Sequence, residues 1–338
     1  MLKKITGDDR LNDAGMPLPN GNISSTAEPK IAVARPVESS PAGYLSSAYA
    51  ESLSEYGSLR HLPFSGGWLI ERPIPGSEHR DAMGCYPLFT CLDWSGLGED
   101  LEQLSERLVT VSLVADPFGR YSPEQMEKCF DLVFPFKLHF VTDLSQPLAK
   151  LVSRNHKRHV SKALRQVEVE RCEPALPFLD EWVALYGFLR ERHGVRGLSA
   201  FSRQAFARQL AVPGLVMFRA RAGAATVGIT LWYLDRGVAY YHLGASSPEG
   251  YRLHASYALF WHALNFFSSR AQWLDLGGVP GLEDDLASGL RQFKAGWATG
   301  TRPAYFCGKI LQPEAYHRLC SGAGAGTYFP AYRAKYEL

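Results

Sequence analysis

Residues 215–246 read LVMFRARAGAATVGITLWYLDRGVAYYHLGAS, and this stretch decides the fold class. Three runs, LVMFRARA, TVGITLWYL and VAYYHLGAS, are separated by a Gly223 turn and an Asp235–Arg236–Gly237 turn. Glycine-bearing turns between alternating strands predict antiparallel hairpins. Side chains alternate across a strand, so Tyr240 and His242 share one face and Tyr241 takes the other.

Downstream, the pattern predicts a helix from about Leu253 to Ser269, a strand QWLDLGG, a loop, a helix from about Leu286 to Ala298, a strand PAYFCGKIL and a short helix near Pro313. Upstream, Pro177 to His193 is amphipathic, with Phe178, Trp182, Leu185, Tyr186 and Leu189 on one face and Gly194 as its stop. Ser202 caps a second helix running to Leu210. The order ααβββαβαβ places crossover helices after hairpins, which demands a mixed sheet.

Pro147 to Arg165 reads as one long linking helix. Arg154, Arg158, Lys162 and Arg165 recur every three or four residues and share a face; His156, Lys157 and His159 add to them. Such a face is either simply solvated or a site for phosphate groups. The first half mixes helices and strands. GGWLIERPI, CYPLFTCLDW, VTVSLVAD and FKLHFVTDL read as strands, while LSSAYAESLSEYGSL, GEDLEQLSERL and SPEQMEKCFDLV, the last capped by Ser122, read as helices. Residues 1–40 are rich in Gly, Pro, Ser, Asn and Asp and read as a disordered tail.

A chain of 338 residues suits two domains, and 46% apolar, 12% aromatic and 21% charged residues describe an ordinary globular protein. With 36 Lys+Arg against 34 Asp+Glu the net charge is +2, which excludes a polycation that coats nucleic acid but leaves room for a local basic patch. No apolar run approaches the ~18–20 residues of a membrane span, and the first residues lack the apolar core of a secretory signal. A cytoplasmic location is expected. Six scattered cysteines without a C-x-x-C pair read as reduced thiols, and Cys307, His317 and Cys320 lack the second pair a metal site needs, so no metal is expected.

The ααβββαβαβ order resembles the GNAT acyltransferase fold. RNHKRHVSKAL at 154–164, YHLGAS at 241–246, YALFWHAL at 257–264, WLDLGG at 273–278 and GLRQFKAGWATGTRP at 289–303 resemble the FemAB branch of that superfamily. The resemblance covers roughly residues 44–320 and is strongest in the phrase D-L-G-G, loop, G-L-x-x-F-K-x-G. It implies an α/β protein with mixed sheets and two tandem GNAT-like domains joined by a basic helix. The expected division is a tail at 1–40, a degenerate domain at 41–146, the helix at 147–168, a second domain at 169–320 and a C-terminal tail at 321–338. The branch includes Fem peptidyltransferases, which move an amino acid from aminoacyl-tRNA onto an amine of a cell-wall precursor. It also includes CelD-like proteins encoded with polysaccharide genes, and the sequence looks closer to these.

Acyl transfer to an amine needs a placed donor, a deprotonated amine and stabilisation of the developing oxyanion. No G-x-S-x-G elbow and no Cys-His spacing is present, so a covalent acyl-enzyme has no motif behind it. In Fem proteins the Phe-Lys that Phe293-Lys294 resembles places an ammonium beside the reacting ester, which makes Lys294 the leading catalytic candidate and Phe293 a substrate contact. Asp275, at the end of an apolar strand, either orients and deprotonates the amine or caps the loop. Gly277 and Gly278 either let substrate approach the backbone or make a tight turn. His242 is a candidate base or a packed core histidine, and Tyr240 shares its face. Ordinary GNATs hold the pyrophosphate of acyl-CoA on R/Q-x-x-G-x-G/A. Here the place reads SPEGYRLHAS, which keeps Gly250 but not Gly-x-Gly. Arg154, Arg158, Lys162 and Arg252 are the candidate phosphate and donor contacts.

The expected function is an N-acyltransferase acting by direct attack on an amine of a sugar or peptide precursor, in cell-envelope or exopolysaccharide biosynthesis. Acyl-CoA or aminoacyl-tRNA would serve as co-substrate, and no cofactor would be permanently bound. Competing classes are a catalytically degenerate scaffold for polysaccharide assembly, which the lost Gly-x-Gly favours, and an RNA-binding module. Near-neutral charge and the absence of an RNP-like aromatic motif weigh against the last.

Overall fold

The computed structural model describes residues 40–194, 196–279, 289–321 and 328–334. Its strands are β1 (Ser58–His61), β2 (Trp68–Pro73), β3 (Arg80–Gly84), β4 (Thr110–Val114), β5 (Leu132–Asp143), β6 (Glu168–Cys172), β7 (Leu215–Ala222), β8 (Ala225–Asp235), β9 (Val238–Ser246), β10 (Trp273–Asp275) and β11 (Gly300–Ile310). They join one sheet in the order β1-β2-β3-β4-β11-β5-β10-β9-β8-β7-β6. The pairs β3–β4 and β9–β10 are parallel, and every other neighbouring pair is antiparallel.

The expected hairpins of 215–246 are present as β7–β8–β9, and the mixed α/β class holds. The expectation of separate sheets for two domains is corrected. Each half builds its own parallel pair, but the long strand that follows each pair crosses to the other half. β5, which follows the first half, pairs with β10; β11, at the end of the second, pairs with β4. β5 and β11 also pair with each other, from Leu132↔Gly308 to Val141↔Gly300, and this seam welds the halves into one sheet. A parallel pair needs a long crossover, and the helices Pro248–Arg252 and Ala255–Phe267 supply it between β9 and β10.

Alternation along the strands divides the core. Tyr240 and Val238 face a cluster with Tyr44, Tyr49, Trp182 and Tyr233 under the helices Leu179–His193 and Arg203–Gln209. Ala239 faces the other side, where Phe218, Trp232, Leu274 and Trp297 pack under Ala255–Phe267. A third cluster, with Leu69, Trp94, Leu101, Val111 and Cys307, fills the first half.

Several local expectations change. The linking helix is two helices, Leu148–Leu151 and Arg154–Ala163, because Val152 is extended and the Ser153 side chain caps the second by accepting from His156 N. CYPLFTCLDW is irregular apart from a Phe89–Ala115 bridge, and β1, β3 and β6 carry too little apolar alternation to be read beforehand. Of the C-terminal tail, Tyr332 and Arg333 are buried: Arg333 forks onto Asp81 at 2.8 Å, and the Tyr332 hydroxyl lies 3.1 Å from the same carboxylate and 2.7 Å from Thr110 Oγ1. Residues 1–39 of the tail expected at 1–40 and the start of the predicted 286–298 helix lie outside the described residues. Among the described residues no helix is long and apolar enough to cross a membrane.

Candidate active site

The site lies where the exchanged strand β5 meets β10. Asp275, the last residue of β10, sits opposite Val141 of β5 and beside Tyr240 of β9. Directly paired residues share a face, so His139, two residues before Val141, rises on the same side as Asp275. His139 Nδ1 lies 3.0 and 2.9 Å from the two Asp275 carboxylate oxygens. Both residues are buried. A carboxylate only accepts, so Nδ1 carries a proton, and in the neutral imidazole Nε2 then presents its lone pair. Nε2 has no hydrogen-bond partner among the described residues.

Asp275 also accepts from Gly277 N at 2.8 Å, so it both caps the loop and holds the imidazole. Gly277 needs its glycine, because φ is +73° there. At Gly278 a Cβ would lie 3.2 Å from Lys137 Cβ and 3.5 Å from His139 Cδ2, so the bare backbone passes close to both side chains. On the other side of this glycine pair the Lys294 ammonium donates to Gly278 O, and an added Cβ on Gly277 would sit 3.5 Å from its Nζ. Lys294 is almost completely buried. Desolvation pulls its pKa down to about 8; the Asp275 charge opposes that fall and the Lys137 charge adds to it. Burial lowers the pKa of Lys137 as well.

Phe293 turns into the core, against the rings of His156, Tyr257, Phe260 and Trp297, and supports Lys294 from behind rather than lining the site. The same helix anchors the basic segment. His156 Nε2 donates to Phe293 O at 2.8 Å, and its ring fills the place where a Cβ on Gly296 would be, 2.0 Å from Cε1. Arg154, Arg158, Lys162 and Arg165 remain exposed, and Lys162 Nζ reaches His254 Nε2 at 3.2 Å.

His242 is corrected as a candidate base. Its Nδ1 accepts from the Tyr44 hydroxyl at 3.0 Å, its Nε2 donates to Gln209 Oε1 at 3.2 Å, and burial lowers its pKa to about 3. Both nitrogens are occupied and the ring stays neutral. Tyr240 is committed too: its hydroxyl donates to buried Asp116 at 2.9 Å, and the other carboxylate oxygen accepts from Phe118 N. Burial raises the Asp116 pKa. Arg252 pairs with Glu249 on the surface. Gly250 is there for packing, because a Cβ would fall 2.0 Å from Val227 O. The structure thus gathers Lys294, Asp275, Gly277 and Gly278 and adds His139, which sequence reading missed. The only signal was one imidazole in the apolar strand FKLHFVTDL, 136 residues from its partner.

Residues 152–294 match the sequence family described as an acetyltransferase (GNAT) domain. No curated protein sequence matches the chain. Among solved structures the fold is similar to FemX, with 16% identity, TM-score 0.60 and coverage of 80% of this chain and 93% of that one. It is also similar to the C-terminal domain of a protein described as a lysylphosphatidylglycerol synthetase from Agrobacterium fabrum, with 16% identity, TM-score 0.57 and coverage of 82% and 94%. L-PGS from Bacillus licheniformis follows at 14% identity, TM-score 0.50 and coverage of 78% and 93%. By sequence, residues 152–294 are thus a GNAT acetyltransferase domain, which supports an acyltransferase. Over most of its length the chain shares its fold with FemX.

Proposed function

We propose that this protein moves an acyl or aminoacyl group onto an amine of a sugar or peptide precursor in envelope or exopolysaccharide biosynthesis. The observation that carries the proposal is the His139–Asp275 pair, whose Nε2 has no hydrogen-bond partner among the described residues, across the Gly277–Gly278 backbone from the buried Lys294 ammonium. His139 Nε2 takes a proton from the amine as its nitrogen attacks the acyl carbonyl. Lys294 stabilises the oxyanion; the C–N bond forms, the donor's C–O or C–S bond breaks, and His139 returns the proton to the leaving group. Asp275 keeps the imidazole in the required tautomer. No covalent enzyme intermediate is involved.

GNAT acyltransferases take acyl-CoA as co-substrate. Aminoacyl-tRNA is the second donor proposed, since Gly250 serves packing and the exposed face of Arg154, Arg158 and Lys162 offers cations to phosphates. The division into halves at 147–168, the cytoplasmic location and the sugar or peptide acceptor belong to the same proposal.

The test is transfer of radiolabelled acyl groups from acetyl-CoA and from aminoacyl-tRNA to amino sugars and peptides. His139→Gln should lower turnover by about 100-fold or more. His242→Asn should retain turnover within a few-fold, because that ring is enclosed in the core. Wild-type turnover in His139→Gln would remove the base. A scaffold, which the lost Gly-x-Gly favours, predicts no transfer from either donor.

A further inference from the structure

Arg302 is unused by this chemistry, yet it stands beside it. On β11 it is the direct register partner of His139, so the two side chains leave adjacent strands on the same face. Its guanidinium carbon lies 4.4 Å from the Phe118 ring centre and 4.6 Å from that of Trp273. Those rings are 5.9 Å apart and inclined at 50°, so the guanidinium rests in the angle between them. It makes no ion pair or hydrogen bond among the described residues, although it is only partly exposed. The nearby acids are taken: Asp275 by His139 and Gly277, Asp116 by Tyr240 and Phe118.

The support of Arg302 is built, not incidental. Phe118 N is fixed by Asp116, which the Tyr240 hydroxyl fixes in turn, and Trp273 belongs to the same short strand as Asp275. Aromatic faces hold a cation in place without neutralising it or using its N–H groups. A guanidinium held this way keeps its planar fork for an incoming oxyanion.

We propose that Arg302 binds an oxyanion of the amine substrate, carboxylate or phosphate, and so selects acceptors that carry an amine and a negative group a short spacer apart. The proposal rests on His139 as the base that receives the amine. It names the substrate class: an amino acid or peptide with a free carboxylate, or an amino sugar phosphate.

Calorimetric titration of the full chain with two matched pairs of probes tests it. Glycine against glycinamide reads carboxylate, and glucosamine 6-phosphate against glucosamine reads phosphate. Wild type should prefer the anionic member of one pair by about tenfold or more, as a charge-assisted bidentate contact implies. The pair that shows the preference identifies the oxyanion. Arg302→Met should abolish the preference and leave the neutral probe unchanged. Arg302→Lys should retain a reduced preference, and it decides the matter if Arg302→Met does not fold, since affinity equal to wild type for the anionic probe would overturn the bidentate contact. No preference in wild type, or one that survives in Arg302→Met, overturns the proposal. His139→Gln, run in the transfer assay, separates the two readings. A preference that depends on Arg302 together with transfer that ignores His139 removes the base and leaves the anion site standing.

Discussion

Replacing Lys294 by methionine keeps the side chain's length and removes its charge. The ammonium is buried, and its pKa lies at about 8 against an ordinary 10.5. A gap of this size corresponds to roughly 3 kcal/mol of disfavour for the charged form in the folded protein. Below pH 8 both folded and unfolded chains hold the proton, and the folded state bears the whole disfavour. Between pH 8 and 10.5 the unfolded chain keeps a proton that the native one has released, so stability rises with pH in that window. Methionine has no such term. The unfolding free energy of wild type minus that of Lys294→Met should therefore climb by about 2 kcal/mol between pH 7 and 9.5. Urea denaturation of both proteins across this range reads the difference and cancels the titrations they share. Turnover tests the same cation from the other side. Lys294→Met should lower it by about 100-fold at pH 7, the usual loss for one oxyanion donor. The wild-type rate should fall as pH rises through about 8, because the neutral amine no longer stabilises the oxyanion. Parallel stability curves would show that the lysine is solvated. A fully active Lys294→Met would show that its charge does not act on the acyl carbonyl.

Gly296→Ala should destabilise the fold by about 1–3 kcal/mol or more in urea unfolding, because its Cβ would fall 2.0 Å from the His156 ring. Adding His156→Ala should recover part of that loss, and strict additivity would deny the contact. Changing Arg154, Arg158 and Lys162 together to alanine should weaken binding of an aminoacyl-tRNA and flatten its salt dependence, with the melting temperature nearly unmoved. An unchanged salt slope would return the helix to a solvated face.

The Lys294 and Asp275 positions were legible because each sits in a local phrase, F-K-A-G and D-L-G-G, whose residue types are unusual together. His242 was misread for the opposite reason. A strand period tells that His242 and Tyr240 share a face, but not that Tyr44 and Gln209 close over the imidazole from positions 198 and 33 residues away. His139 was invisible as a functional group, since its partner comes from a strand 136 residues distant.

The sequence by itself determined the hairpins of 215–246, the caps at Ser122 and Ser202, the Gly194 stop and the basic face of Arg154–Ala163. These follow from turn chemistry, capping hydrogen bonds and side-chain period, all set within a few residues. Only the tertiary structure decided that β5 and β11 change halves, and with that exchange came the site. Moving β5 beside β10 sets His139 against Asp275, and pairing β11 with β5 brings Arg302 next to His139. The physical reason is that alternation specifies which face of a strand is buried, whereas the choice of neighbouring strand is settled by the backbone hydrogen bonds and packing of the whole sheet.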